Sequence, residues 1–281
     1  MRRIATSIDD YAFANCSSLE EVTIPDSVTS IGDCAFYDCV SLRKINIPNS
    51  VKTIGKSAFA YCFSLANIDI SDSVTDIGES AFSNCTLLES ITIPGGITEI
   101  SPKAFNHCSN LTTVVIPNNI TIIGDRAFYW CSSVRSITID GDVTNIGWGA
   151  FDGCSSISSV YVNDITTWCN IAFGGFSATP LCYGAELYID GQLATDVIVP
   201  DHITSIRKYA FYGYTKLRSV TIPGSVTTID DEAFRECTNL ESIYYEGTKA
   251  QWNEMNKGSY WDFNVGDYTV YCIDGTIEKV N

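Results

Sequence analysis

Residues 34–48 read CAFYDCVSLRKINIP. The Ala-Phe pair, the second Cys and the Leu-x-x-Ile-x-Ile-Pro ending of this stretch return along the chain. Ala-Phe falls at Ala12-Phe13, Ala35-Phe36, Ala58-Phe59, Ala81-Phe82, Ala104-Phe105, Ala127-Phe128 and Ala150-Phe151, each step 23 residues. It resumes at Ala210-Phe211 and Ala233-Phe234, again 23 apart. A strict period in the twenties predicts a solenoid. One coil cannot bury its own apolar side chains and must bury them against copies of itself, so the sequence repeats wherever the core does.

Within a coil the pattern is Val-Thr-x-Ile-Gly-x-x-Ala-Phe-x-x-Cys-x-x-Leu-x-x-Ile-x-Ile-Pro. The Leu-x-x-Ile-x-Ile end alternates as a strand does, with Leu42, Ile45 and Ile47 turned inward. Pro25, Pro48, Pro94, Pro117 and Pro223 lack an N–H and end it. Val-Thr-x-Ile is a second short extended piece, rich in β-branched residues. Gly32, Gly55 and Gly78 are expected to mark turns, and Ala-Phe-x-x-Cys to form a short helical or 3-10 turn that carries Phe into the centre.

Between Phe151 and Phe211 lie 60 residues instead of 23. The extra sequence has a partner at the C-terminus: Trp168 precedes Asp190-Gly191 by the same distance as Trp252 precedes Asp274-Gly275. Each copy is expected to hold a short helix around its Trp and then a hairpin turning at Asp-Gly. The expected division is regular repeats over 1–159, a Trp-containing insert over 160–200, resumed repeats over 201–245, and a second Trp module capping the open core over 246–281. The expected fold is one right-handed, β-rich leucine-rich-repeat solenoid with a double-length coil and a hairpin-type cap.

The signature Ile-Pro-x-x-Val-Thr-x-Ile-Gly-x-x-Ala-Phe-x-x-Cys resembles the BspA-like leucine-rich-repeat family over essentially the whole chain. That resemblance implies a bacterial or protozoal surface or secreted protein, in some members an adhesin for host proteins. The N-terminus, MRRIATSIDDYAF, carries no apolar run after its arginines, so no signal peptide is expected within it. The chain reads as a fragment or a processed form, because its start falls inside a repeat.

Composition narrows the function. A formal net charge of −16 disfavours nucleic acid and anionic membranes as partners. No stretch of 18 apolar residues is present, so no transmembrane helix is expected. Eight of the twelve cysteines (Cys16, Cys39, Cys62, Cys85, Cys108, Cys131, Cys154 and Cys237) share one repeat position, where Tyr214 replaces Cys once. They read as an inward ladder of free, inert thiols, because parallel Cβ vectors suit a disulfide poorly. Cys169 and Cys182 could pair, but the C-terminal module lacks both equivalents. Neither a zinc spacing nor a cofactor or catalytic fingerprint is present. His107 and His202 fall at variable surface positions. The reading is therefore non-enzymatic, with no cofactor, no metal and no catalytic residue.

An extended concave strand face is where a solenoid offers a ligand surface. Its outward positions are mostly small and polar, as at Ser90, Thr92, Ser136 and Thr138. Tyr161, Ile198 and Tyr244 break that monotony towards the C-terminal half. With Trp168 beside them they form the candidate ligand site, since aromatic anchors carry interface energy; β-branched and Tyr residues also simply suit strands. A second candidate is the ridge of Tyr37, Tyr61, Tyr129, Trp130 and Tyr212. The expected function is binding or adhesion at a cell surface or outside the cell, by a monomer, with a protein or glycan partner. The alternative is a spacer with no ligand of its own.

Overall fold

The computed structural model describes residues 5–279, and its packing divides into two compact units, Met1–Ile157 and Ser158–Asn281. In the first unit the Val-Thr-x-Ile segments form two-residue strands. Ser7–Ile8, Ser30–Ile31, Thr53–Ile54 and Asp76–Ile77 pair in parallel, Ser7 with Ser30, Ser30 with Thr53 and Thr53 with Asp76. The register is thus one repeat per strand, as a solenoid requires. On the other side the Leu-x-x-Ile-x-Ile segments pair likewise, Glu21–Thr23 with Lys44–Asn46 and Thr113–Ile116 with Ser136–Ile139. Leu42 and Ile45 are buried, and Lys44 and Asn46 are exposed.

Between these sides runs a stack of turns around the phenylalanines. Phe13, Phe36, Phe59, Phe82, Phe105, Phe128 and Phe151 form one column with centroids 5.2–5.6 Å apart and planes within 13°. From Phe36 onward every ring is buried, each contributing about 1.5–3 kcal/mol of burial. The Ala-Phe stretch is a run of β-turns in which alternate N–H groups close the turn or reach the next coil: Ala58 N donates to Gly55 O, Phe59 N to Ala81 O. Two residues per coil take left-handed backbone there. One set is Cys34, Ser57, Ser80, Lys103, Arg126 and Gly149; the other is Asp38, Tyr61, Asn84, His107, Trp130 and Gly153. A non-glycine residue in that conformation costs about 1 kcal/mol.

The glycines after Ile have a different reason from the one expected. Gly32, Gly55 and Gly78 are absent from the positive-φ positions. A Cβ on Gly55 would lie 2.6 Å from Asp33 N and from Gly32 C. Close stacking of neighbouring coils excludes the side chain, while the left-handed residues sit two and six positions further on, where the sequence shows no glycine pattern.

The ladder cysteines are free and buried from Cys39 onward. Each thiol donates to the carbonyl of a phenylalanine in the preceding coil, Cys62 Sγ to Phe36 O at 3.2 Å and Cys108 Sγ to Phe82 O at 3.2 Å. Cysteine is small and apolar enough for the core, yet it satisfies a carbonyl that Ala would leave short. Cys169 and Cys182 are not joined by a disulfide.

The second unit holds both Trp modules. Strand Ser159–Val162 pairs in parallel with Glu186–Ile189, which turns back antiparallel into Gln192–Leu193. A second sheet runs Asp196–Ile198, Ser219–Ile222, Ser242–Tyr245, Tyr268–Cys272 and Gly275–Lys279, the last antiparallel. Helix α1, Ile165–Asn170, is capped by Asp164, whose carboxylate accepts from Thr167 N at 2.8 Å. Helix α2, Lys249–Glu254, has a capping box between Thr248 and Gln251.

The two hairpins differ by one residue. The insert turns at Asp190-Gly191, both with positive φ, between Ile189 and Gln192. The C-terminal copy turns at Ile273-Asp274, between Cys272 and Gly275. There Asp274 accepts from Lys249 N at 2.7 Å, tying the turn to α2. Hydrogen bonding to the helix start places Asp274 at the tip, one position from where the Asp-Gly pattern put it.

Candidate ligand-binding face

Strand alternation in the second unit buries Val160 and Ile243 and turns Tyr161 and Tyr244 outward. Parallel pairing in register stacks each tyrosine on one supplied by the following Trp module. Tyr161 lies opposite Tyr188, with centroids 4.9 Å apart and planes at 20°. Tyr244 lies opposite Tyr271, at 5.1 Å and 19°. Offset stacking of this kind adds about 0.5–1.5 kcal/mol beyond burial. Each Trp module thus completes one exposed tyrosine pair.

Electrostatics differ between the pairs. Tyr188 OH donates to Glu186 Oε2 at 2.8 Å, and Lys216 Nζ stands 3.4 Å from Glu186 Oε1. The Tyr188 hydrogen bond first, and Lys216 after it, hold the Glu186 carboxyl below its ordinary range. The same bond raises Tyr188 above the usual phenol value.

Ile198 is 69% exposed and shares a row with Thr221, Tyr244 and Tyr271. Tyr161 belongs to the other sheet, with Tyr188 and Leu193. The four residues read from sequence therefore do not form one hydrogen-bonded row. Trp168 leaves the contact set altogether: it is fully buried, and its Nε1 donates to Ala210 O at 2.8 Å. It anchors the insert from within.

Tyr188 and Tyr271 escaped the sequence reading. Both stand just before an Asp-Gly turn motif, the signal that could have found them. They were hidden because the modules break the 23-residue alignment: Tyr188 is 20 residues after Trp168, Tyr271 only 19 after Trp252.

The first unit's strand face keeps its small polar character, with Val115 the apolar exception at 47% exposure. On its turn ridge Tyr37 and Tyr61 meet edge to face, and His107 packs against Tyr129 and Trp130. His107 Nδ1 lies 2.6 Å from Asn106 Oδ1, and burial lowers the ring's pKa. Among the described residues no three His, Cys, Asp or Glu side chains gather where they could hold a metal ion. Burial pushes Cys39 up to about 11 and Cys169 to about 12, so these thiols are poor nucleophiles. No helix among the described residues is long and apolar enough to cross a membrane.

The profile of the BspA type leucine rich repeat region matches in six copies, over residues 6–133, 98–180 and 187–260. The chain belongs to that family. No curated protein matches this BspA-type chain. Among solved structures it is similar to a leucine rich repeat protein of T. pallidum, 26% identical with a TM-score of 0.52, covering 67% of this chain and 91% of that one. It is similar in fold to the pneumococcal vaccine antigen PcpA, at 17% identity and a TM-score of 0.51, covering 95% and 74% of the two chains. A leucine rich cell surface protein from Faecalibacterium prausnitzii is 29% identical, with a TM-score of 0.44 and 89% and 86% coverage.

Proposed function

We propose that this BspA-type chain is a non-enzymatic binding module of a bacterial cell-surface or secreted protein, acting as a monomer on a protein or glycan through the strand face of its second unit. The two exposed tyrosine pairs, Tyr161 with Tyr188 and Tyr244 with Tyr271, carry this reading. Stacked, half-exposed aromatic rings on rigid strands offer large contact area at little entropic cost. The family assignment supports a surface location. Screening the purified chain against matrix proteins, mucins and a glycan array at physiological salt tests it, with saturable binding as the expected outcome.

A spacer that lifts another domain is the second reading. The small polar strand face of the first unit favours it, because such a surface has no anchor for a ligand. A folded, monomeric chain that binds nothing in the screen would leave this reading standing in place of the first.

A further inference from the structure

Arg126 lies among aromatic rings on the turn ridge of the first unit. Its guanidinium lies 4.5 Å from the centre of the Trp148 ring and 5.4 Å from that of Tyr129. It forms no ion pair among the described residues, in a chain with 33 acidic side chains and only 17 basic ones. Its Nε is sealed from solvent and donates to no acceptor among the described residues. A buried donor of that kind is expensive, and burial of a charged one more so. The adjacent Asp125 is turned away, its Oδ1 accepting from Trp148 N at 2.7 Å.

The second unit shows what completes such an arginine. Arg235 also sits among rings, 5.0 Å from the centre of Phe263, 5.8 Å from Tyr212 and 5.9 Å from Tyr260. Its Nε, like that of Arg126, is sealed from solvent without a hydrogen bond among the described residues, but Arg235 has carboxylates beside it: Nη1 is 3.0 Å from Glu232 Oε2, and Nε is 3.9 Å from Glu236 Oε1. Arg126 keeps the aromatic surroundings but has no carboxylate paired with it among the described residues.

Arg126 and Trp130 take the two left-handed positions that recur in the coils, with φ of 55° and 57°. Trp130 is 51% and Trp148 48% exposed. The Trp130 indole packs over Gly153, where a Cβ would meet its Cγ at 2.8 Å.

We infer that Arg126, with Trp148, Tyr129 and Trp130, is a docking site for an acidic peptide segment of a partner protein, whose Asp or Glu carboxylate pairs with the guanidinium between the rings. Arginine beside exposed Trp and Tyr is the composition of a protein–protein hot spot. Its planar fork matches a carboxylate with two parallel hydrogen bonds. The pair at Arg235 is likewise made by protein side chains. This site is independent of the strand-face reading.

The test is an array of 12-residue synthetic peptides, each with one central Glu flanked by apolar residues and printed beside its Gln counterpart. It is probed with the full chain and with its Arg126→Lys and Trp148→Leu variants. A subset of Glu peptides should bind, the Gln counterparts at least tenfold more weakly, and both variants should lose at least tenfold. Melting curves confirm that the variants fold, and the Glu-to-Gln comparison needs no protein variant at all. Equal binding of Glu and Gln peptides, no binding peptide, or undiminished binding by Arg126→Lys overturns the inference. So does Arg126-dependent binding of 3′-sialyllactose in the absence of any peptide hit, which would assign the site to an acidic glycan.

Discussion

Cys62 Sγ stands 3.2 Å from the carbonyl oxygen of Phe36, 26 residues earlier, and donates its thiol hydrogen to it. The bond recurs from Cys39 to Phe13, from Cys85 to Phe59, and down to Cys154 and Phe128. It binds each coil to its predecessor at the level of the phenylalanine column. The cysteine ladder is a hydrogen-bonding device written in an apolar residue.

Thiol accessibility follows from this. Of the twelve free cysteines, Cys16 is exposed, Cys34, Cys182 and Cys272 are half-buried, and the other eight are buried. Titration of the native chain with an aromatic disulfide reagent should modify no more than four thiols quickly, and all twelve in denaturant. Fast reaction of more than four in the folded chain would contradict the ladder.

Alkaline pH should weaken the fold. Burial raises Cys39 to about 11 and raises Cys62, Cys85, Cys108, Cys131 and Cys237 as well. An unfolded thiol releases its proton near pH 8.5, so above that pH the unfolded chain binds fewer protons than the native one. The stabilisation is complete below pH 8 and falls as pH rises, by up to about 1.4 kcal/mol per pH unit for each such thiol. Denaturant midpoints measured from pH 7 to 10.5 should drop steeply above pH 9, and a flat profile would show the thiols to be solvated. Cys108→Ala, which loses the S–H donor and leaves a small void, should cost about 1–3 kcal/mol at pH 7.

Two glycines separate backbone crowding from simple turn preference. Gly55→Ala forces a Cβ to 2.6 Å from Asp33 N and should destabilise by about 1–3 kcal/mol. Gly95→Ala meets only the Asp72 side chain, at 3.4 Å, and should change stability by about 0.5 kcal/mol or less. Equal effects of the two substitutions in thermal unfolding would contradict close coil stacking as the reason for glycine.

Trp168 tests the insert. Trp168→Phe keeps an aromatic ring but leaves Ala210 O without its indole partner, 2.8 Å away in the native chain. It should cost about 1–3 kcal/mol. Measurement by chemical denaturation, with no loss of stability, would show that the indole N–H does not anchor the module.

The period of the Ala-Phe pairs was enough to read the coil, because every coil buries the same Phe, Leu and Ile against its neighbours. Turn conformation was not legible: Tyr61, His107 and Trp130 sit in left-handed backbone where sequence rules look for Gly or Asn, so the stacking coils override local preference. Tyr161 and Tyr244 were readable as outward strand positions. Their partners Tyr188 and Tyr271 were not, because the one-residue difference between the modules lies outside the repeat. Arg126 and Trp148 were invisible for another reason: their significance lies in which charges they lack, which only three-dimensional neighbours reveal.

The central claim is that ligand binding rests on the two tyrosine pairs. The measurement is the binding isotherm of the strongest hit from the matrix-protein, mucin and glycan screen, recorded with the native chain and with Y161A/Y188A, Y244A/Y271A and the fourfold combination. Each pair substitution should weaken binding at least tenfold or, if one pair dominates, that pair alone should do so, and the fourfold variant should not bind while still melting cooperatively. Unchanged affinity in the folded fourfold variant would contradict the account.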